Sequence, residues 1–279
     1  VCSSDLVNVC GYKTGSVYPN EWLVFGAHFD IAPPVAYTPG PDIPGYGTRT
    51  GAYDNTAGTS MILETAESLS KINTRRTMVF CLWSSEEEGL WGSSSWTQDI
   101  AERDEIKVTN YVNLDMMGIN WPGDWVLSCY IGPEVDPNII DQAPMYELAE
   151  WIGAGQLGLE TQIAKGWAAW SADGESAMWS NQYEDTVAIY ESPTARSDHE
   201  PFQANLNSIT MGWNGVVDGY PCYHRNCDRL SQMESYMETD HGTGEQNLVE
   251  SFDVVAWWST MVFLSLDQDP ILKIGRAHV

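Results

Sequence analysis

The chain has 279 residues, 43% of them hydrophobic, enough to bury one large α/β core or two small ones. Thirteen basic residues against thirty-nine acidic ones give a net charge of −26. Such a surface repels nucleic-acid phosphates and anionic lipid headgroups, so neither is expected as a partner. No apolar run is long enough to span a membrane; the stretch from Val254 to Leu266 is short, contains Ser259 and Thr260, and reads as a buried core helix.

Along the chain, Glu21 to His28 reads as a buried strand whose carboxyl end carries a histidine. A Pro/Gly-rich loop follows from Ile31 to Gly51. Asn55 to Ile72 repeats Met61, Ile62, Ala66 and Leu69 at helical spacing. Thr77 to Trp83 is the next strand, with Glu86, Glu87 and Glu88 just past its end. A helix from about Leu90 to Glu102 leads to a strand from Lys107 to Leu114 that ends at Asp115. Further on, Asp124 to Ile131 reads as a strand, Asn138 to Ile152 as a helix and Thr186 to Tyr190 as a strand. A helix is expected to start near His199, a short strand at Ile209 to Trp213, and a long helix at Gln246 to Leu266.

Alternation of this kind argues for an α/β fold, a three-layer αβα sandwich with a mixed, largely parallel central sheet. Ligands of such sheets bind outside the carboxyl ends of the strands. His28, the glutamates and Asp115 should therefore converge on one edge. With no internal repeat, low-complexity tract or clear linker, residues 7–272 read as one domain. The ends, Cys2 to Leu6 and Ile274 to Val279, resemble translated sequencing adapter. Residues 1–6 and 273–279 are therefore set aside, and a missing amino terminus is expected.

Without Cys2, the cysteines are Cys10, Cys81, Cys129, Cys222 and Cys227. Cys81 lies in an apolar strand and reads as an ordinary buried thiol. Cys222 and Cys227 close a short loop in which a disulfide is plausible; that would point to an oxidising, extracellular or cell-surface location.

Chemistry is concentrated in a few short stretches. In His28-Phe-Asp30, alternate strand residues point the same way, so the carboxylate can orient the imidazole. Alone, this pattern is a weak sign of metal ligation. Asp54, between glycines at the mouth of a helix, is either an N-cap or a carboxylate bridging two cations. Glu86, Glu87 and Glu88 repel one another unless something positive compensates them; the alternative is a solvated acidic loop. Asp115 is a second strand-end aspartate, and His224 sits in the loop between the two cysteines.

These stretches occur in one order over about 200 residues, and in that order they resemble the zinc aminopeptidases of phosphorylase/hydrolase-like fold. That group also holds glutamate carboxypeptidases and, more distantly, glutaminyl cyclases. The matching segments are Gly26–Asp30, Gly51–Asn55, Ser85–Leu90, Asn113–Gly118, Arg196–Phe202 and Cys222–Asp228. The resemblance implies two Zn2+ ions per chain, one on His28 and Asp115, the other on Glu87 and His224, with Asp54 bridging them. It further implies Glu86 as general base, Asp30 as the carboxylate orienting His28, and Tyr223 as an oxyanion donor. Arg196 would contact substrate, while Asp198 and His199 would organise their loop rather than bind metal. The expected activity is hydrolysis of peptide or protein substrates from the amino terminus. Rivals are a carboxypeptidase or dipeptidase of the same fold, a one-zinc glutaminyl cyclase, and a noncatalytic binding module.

Overall fold

A computed structural model describes residues 7–32, 50–119, 126–131, 148, 160–164, 186–191, 196–214, 220–238 and 242–272. Strand β2 (Tyr18–His28) sets the pattern of the layers. Leu23, Phe25 and Ala27 point into one core and Val24 into another, because successive strand residues face opposite ways. The same alternation runs through β3 (Arg76–Trp83) and β4 (Lys107–Asp115). Met78, Phe80, Val112 and Leu114 join the first core; Val79, Cys81, Trp83 and Tyr111 join the second.

Among the described residues, two helices close each face. On the first lie α1 (Ala57–Ser70) and, further along the chain, α5 (Gly244–Gln268). The second is covered by α2 (Trp91–Ala101) and α3 (His199–Leu206), which contribute Ile100 and Phe202. A short helix, α4 (Leu230–Tyr236), packs Met233 with Tyr53, Tyr220 and Leu248 in a third, smaller cluster.

Five more strands complete the described sheet: β1 (Val9–Lys13), β5 (Val126–Ile131), β6 (Glu160–Ala164), β7 (Thr186–Glu191) and β8 (Ile209–Asn214). Their order is β1-β3-β2-β4-β8-β5-β7-β6. Only the β1–β3 and β5–β8 pairs are antiparallel. The expected three-layer sandwich with a mixed, largely parallel sheet is thus what the chain forms.

Helix α5 has the length and hydropathy of a bilayer-crossing segment. Its apolar side chains have another use. Trp258 meets Trp213 edge-on at 5.1 Å, Phe263 lies 3.7 Å from Phe25, and Val255, Val262 and Leu266 are buried beside them. Thr243 and Gln246 form a reciprocal capping box at its start. Near its end the buried Asp267 carboxylate accepts from the backbone N–H groups of Arg75 and Arg76.

Two expectations need correction. Cys81 is not a free thiol: it is disulfide-bonded to Cys10, directly opposite in the antiparallel β1–β3 register. The sequence hid this because β1 is short and largely exposed, so nothing marked it as a strand. The helix expected from Asn55 begins later. Residues Ala52–Thr56 form one wide π-type turn, and regular helix starts at Ala57. Strands β1 and β6 and helix α4 were not foreseen. The Pro-rich segment 33–49, most of the expected helix at 138–152, and residues 1–6, 124–125 and 273–279 lie outside the described residues.

Candidate functional site

Strands β3, β2 and β4 are parallel neighbours, so their carboxyl ends share one edge. His28 ends β2, Asp115 ends β4, and the glutamates follow β3. His224 arrives from the loop closed by the Cys222–Cys227 disulfide, as that spacing suggested. Five described non-glycine residues have positive φ, and four of them flank the site: Ser85, Leu90, Met116 and His224. Such backbone costs about 1–3 kcal/mol per residue and persists where surrounding structure over-determines it. At Ser85 and Met116 it turns the chain just beyond β3 and β4, at Leu90 just before α2, and at His224 within the disulfide loop.

The geometry centres on Asp54. Its Oδ1 lies 3.1 Å from His28 Nε2 and its Oδ2 lies 2.8 Å from His224 Nε2. Asp115 Oδ1 is 3.3 Å from the same His28 nitrogen, and Glu87 Oε1 is 3.1 Å from that of His224. Two groups of possible metal ligands result, His28–Asp54–Asp115 and Asp54–Glu87–His224, each with its donor atoms within 4.8 Å of one another. They share Asp54. Three carboxylates and two imidazoles aimed inward form a nitrogen and oxygen donor set that suits zinc.

Local structure explains how these side chains are held. Asp54 is not a helix cap: its backbone is non-helical, with φ −117° and ψ 91°. Its N–H and that of Tyr53 donate to the two carboxylate oxygens of Asp228. Buried Asn55 spans three elements. Its Nδ2 donates to the Leu114 carbonyl, while its Oδ1 accepts from the N–H groups of Gly58 and Met116. Asp30 serves three neighbours at once. One oxygen lies 3.5 Å from His28 Nδ1 and accepts from Glu86 N–H, and the other accepts from Glu87 N–H.

Electrostatics follow from packing acids together away from water. Burial, with the charges of Asp115, Asp198 and Glu87 beside it, pushes Glu86 up to about 10. Burial and Asp54 likewise raise Glu87. Burial would depress both histidines, but their carboxylate partners outweigh it: His28 rises well above its usual range and His224 to about 10. Burial also opposes ionisation of Asp54, yet hydrogen bonds from the two histidines hold it below the ordinary carboxylate range. Carboxylates and imidazoles packed this closely away from water are an arrangement that bound cations would relieve.

A cavity of about 270 Å³ opens over these residues. It is lined by Asp54, Glu86, Glu87 and Asp115 together with Gly89, Leu90, Met116, Arg196, Tyr223 and His224. Tyr223 stacks on the His224 ring at 3.7 Å. All nine residues singled out from the sequence therefore meet: eight line the cavity or belong to its ligand groups, and Asp30 braces three of them, His28, Glu86 and Glu87. Asp198 and His199 are buried at the start of α3 and belong to neither ligand group. Sequence reasoning gave no role to Asn55, Asp228 or Ser197. Each lay inside a motif stretch, but its role depends on groups brought close only by folding: backbone N–H and C=O for Asn55 and Asp228, the side chains of Asn113 and Asp115 for Ser197.

A sequence model described as Peptidase family M28 matches residues 8–244. The chain is 26% identical over 240 residues to a probable glutamate carboxypeptidase, LAMP1, of Arabidopsis thaliana, covering 84% of this chain and 29% of that protein. It is 32% identical over 234 residues to leupeptin-inactivating enzyme 1 of Streptomyces exfoliatus, covering 77% and 41%. The chain thus spans well under half the length of these relatives. In fold it is similar to a zinc aminopeptidase from Bacillus subtilis, with a TM-score of 0.56 at 19% identity over 91% of this chain and 49% of that one. It is also similar to Porphyromonas gingivalis glutaminyl cyclase, with a TM-score of 0.60 at 16% identity over 94% and 77%.

Proposed function

This chain belongs to peptidase family M28, and from that premise we propose that residues 7–272 form one catalytic domain, a dizinc aminopeptidase releasing residues from the amino termini of peptides. One observation carries the reading: the two oxygens of Asp54 face two different histidines, at 3.1 and 2.8 Å. A carboxylate divided in this way suits a bridge between two ions. His28 and Asp115 would hold one, Glu87 and His224 the other.

When bound, two zinc ions there would polarise the scissile carbonyl and acidify a water. The chain's own groups do the rest. Glu86, buried at the cavity wall with its backbone fixed by Asp30, takes a proton from the attacking water and returns it to the leaving amine. Asp30 holds the His28 ring, so the imidazole presents Nε2 to the site. Tyr223, on the cavity wall, donates its hydroxyl hydrogen to the developing oxyanion. The acidic lining attracts a charged amino terminus, and Arg196 in that lining contacts the peptide. Two disulfides support an extracellular location.

The test compares aminoacyl-nitroanilides with N-blocked peptides, before chelation, after it, and after zinc is restored. We expect zinc-restorable cleavage of the free-amine substrates alone. Cleavage confined to N-blocked peptides with a free carboxylate would replace the aminopeptidase reading with a carboxypeptidase. Cyclisation of an N-terminal glutamine without peptide cleavage would replace it with a glutaminyl cyclase.

A further inference from the structure

Beneath Asp115 runs a line of buried hydrogen bonds that the proposed chemistry leaves unused. Trp83 Nε1 donates to the Tyr111 hydroxyl at 2.9 Å, and that hydroxyl donates to Asn113 Oδ1 at 2.7 Å. Asn113 Nδ2 donates to Ser197 Oγ at 2.7 Å, and Ser197 Oγ donates to Asp115 Oδ2 at 2.6 Å. Tyr111, Asn113 and Asp115 are alternate residues of β4, so they face the same side of the sheet. All five residues are at most 5% exposed.

The line has a direction. An indole N–H can only donate, so it occupies a lone pair of the Tyr111 oxygen and leaves that hydroxyl one hydrogen to give. Giving it to Asn113 Oδ1 fixes which way the amide faces. The amide N–H then fills a lone pair of Ser197, whose own hydrogen goes to the carboxylate. The last bond, short and to a charged acceptor, is the strong one.

Gly26 shows that the sheet makes room for this line. Trp83 stands on β3 and Tyr111 on β4, with β2 between them. A Cβ at Gly26 would lie 2.2 Å from Trp83 Nε1 and 2.5 Å from the Tyr111 hydroxyl oxygen. The first bond crosses β2 at a residue with no side chain to block it.

We infer that this directional line sets Asp115 as a one-oxygen ligand: Ser197 holds Oδ2 in a short hydrogen bond, leaving Oδ1, which faces His28 Nε2 at 3.3 Å, for the ion. Ser197, Asn113, Tyr111, Trp83 and Gly26 are then positioning residues for the His28 side alone. The inference rests on reading Asp115 as a metal ligand, and its test separates the two claims. The full chain is stripped with a chelator and titrated with Zn2+ against a chromophoric competitor, with thermal unfolding followed alongside.

Wild type should bind two ions. Ser197→Ala should bind one of them about 10- to 100-fold more weakly, the size of effect typical for lost outer partners of a ligand, and leave the other unchanged. Ser197→Thr, which keeps the hydroxyl, should restore the affinity. If Ser197→Ala does not fold, Tyr111→Phe decides the matter by removing only the hydroxyl that orients the Asn113 amide. Weakening of a single ion supports the line; unchanged binding, or equal weakening of both ions, overturns it. A wild type that binds fewer than two ions overturns the underlying metal assignment instead.

Discussion

Glu86 and Glu87 are adjacent in sequence, and their surroundings separate their roles. Glu87 faces His224 at 3.1 Å, whereas Glu86 is packed among carboxylates with its N–H tied to Asp30. Removing the general base while sparing the ligands should affect turnover and not metal content. Glu86→Gln should lower kcat by about 10²- to 10⁴-fold with zinc stoichiometry unchanged, measured by nitroanilide kinetics beside elemental analysis. Retained kcat would refute the assignment. Legibility was uneven at this scale. His28, Asp54, Glu87, Asp115 and His224 stood out because their side-chain types and order match the chemistry. Asn55 and Asp228 did not: they act by gripping the backbone N–H groups of Gly58, Met116, Tyr53 and Asp54, and that backbone path exists only after folding.

The strands and helices that carry strong apolar periodicity were the readable ones. β2, β3, β4 and α5 alternate or repeat with little ambiguity, and they appear within a few residues of where the sequence places them. β1 was not readable, because an edge strand with one exposed face and five residues gives no pattern to count. What holds β1 is its ladder to β3 and the Cys10–Cys81 bond, which closes a loop of 71 residues. In the chain-entropy account, a loop of that length stabilises the fold by about 4 kcal/mol. The double substitution Cys10→Ser with Cys81→Ser should therefore cost about 2–4 kcal/mol in denaturant unfolding. The Cys222–Cys227 bond, with a separation of 5, constrains the unfolded chain less and serves chiefly to fix the loop of Tyr223 and His224. An unfolding free energy unchanged by the Cys10/Cys81 pair of substitutions would show that the ladder alone secures the edge.

On the scale of the whole molecule, a net charge of −26 and a buried cluster of acids pose one problem: like charges destabilise the compact state unless cations answer them. Without metal, the folded chain answers with protons. His224 and Glu86 are raised to about 10, from ordinary values of 6.5 and 4.5, and His28 is raised as well. Raised values mean that the folded state binds more protons than the unfolded one, so stability falls as pH climbs toward about 10. Zinc ligands must be unprotonated, so binding expels these protons. The melting temperature of the metal-stripped chain should therefore drop between about pH 6 and pH 9, and restored zinc should flatten that slope. A stripped chain whose melting temperature holds or rises over that interval would contradict the proton accounting. The most direct test of the central claim is anomalous scattering from a zinc-loaded crystal at the zinc edge. The account predicts two peaks, one against His28 and Asp115 and one against Glu87 and His224, with Asp54 between them; a single peak, or none in this cleft, would contradict it.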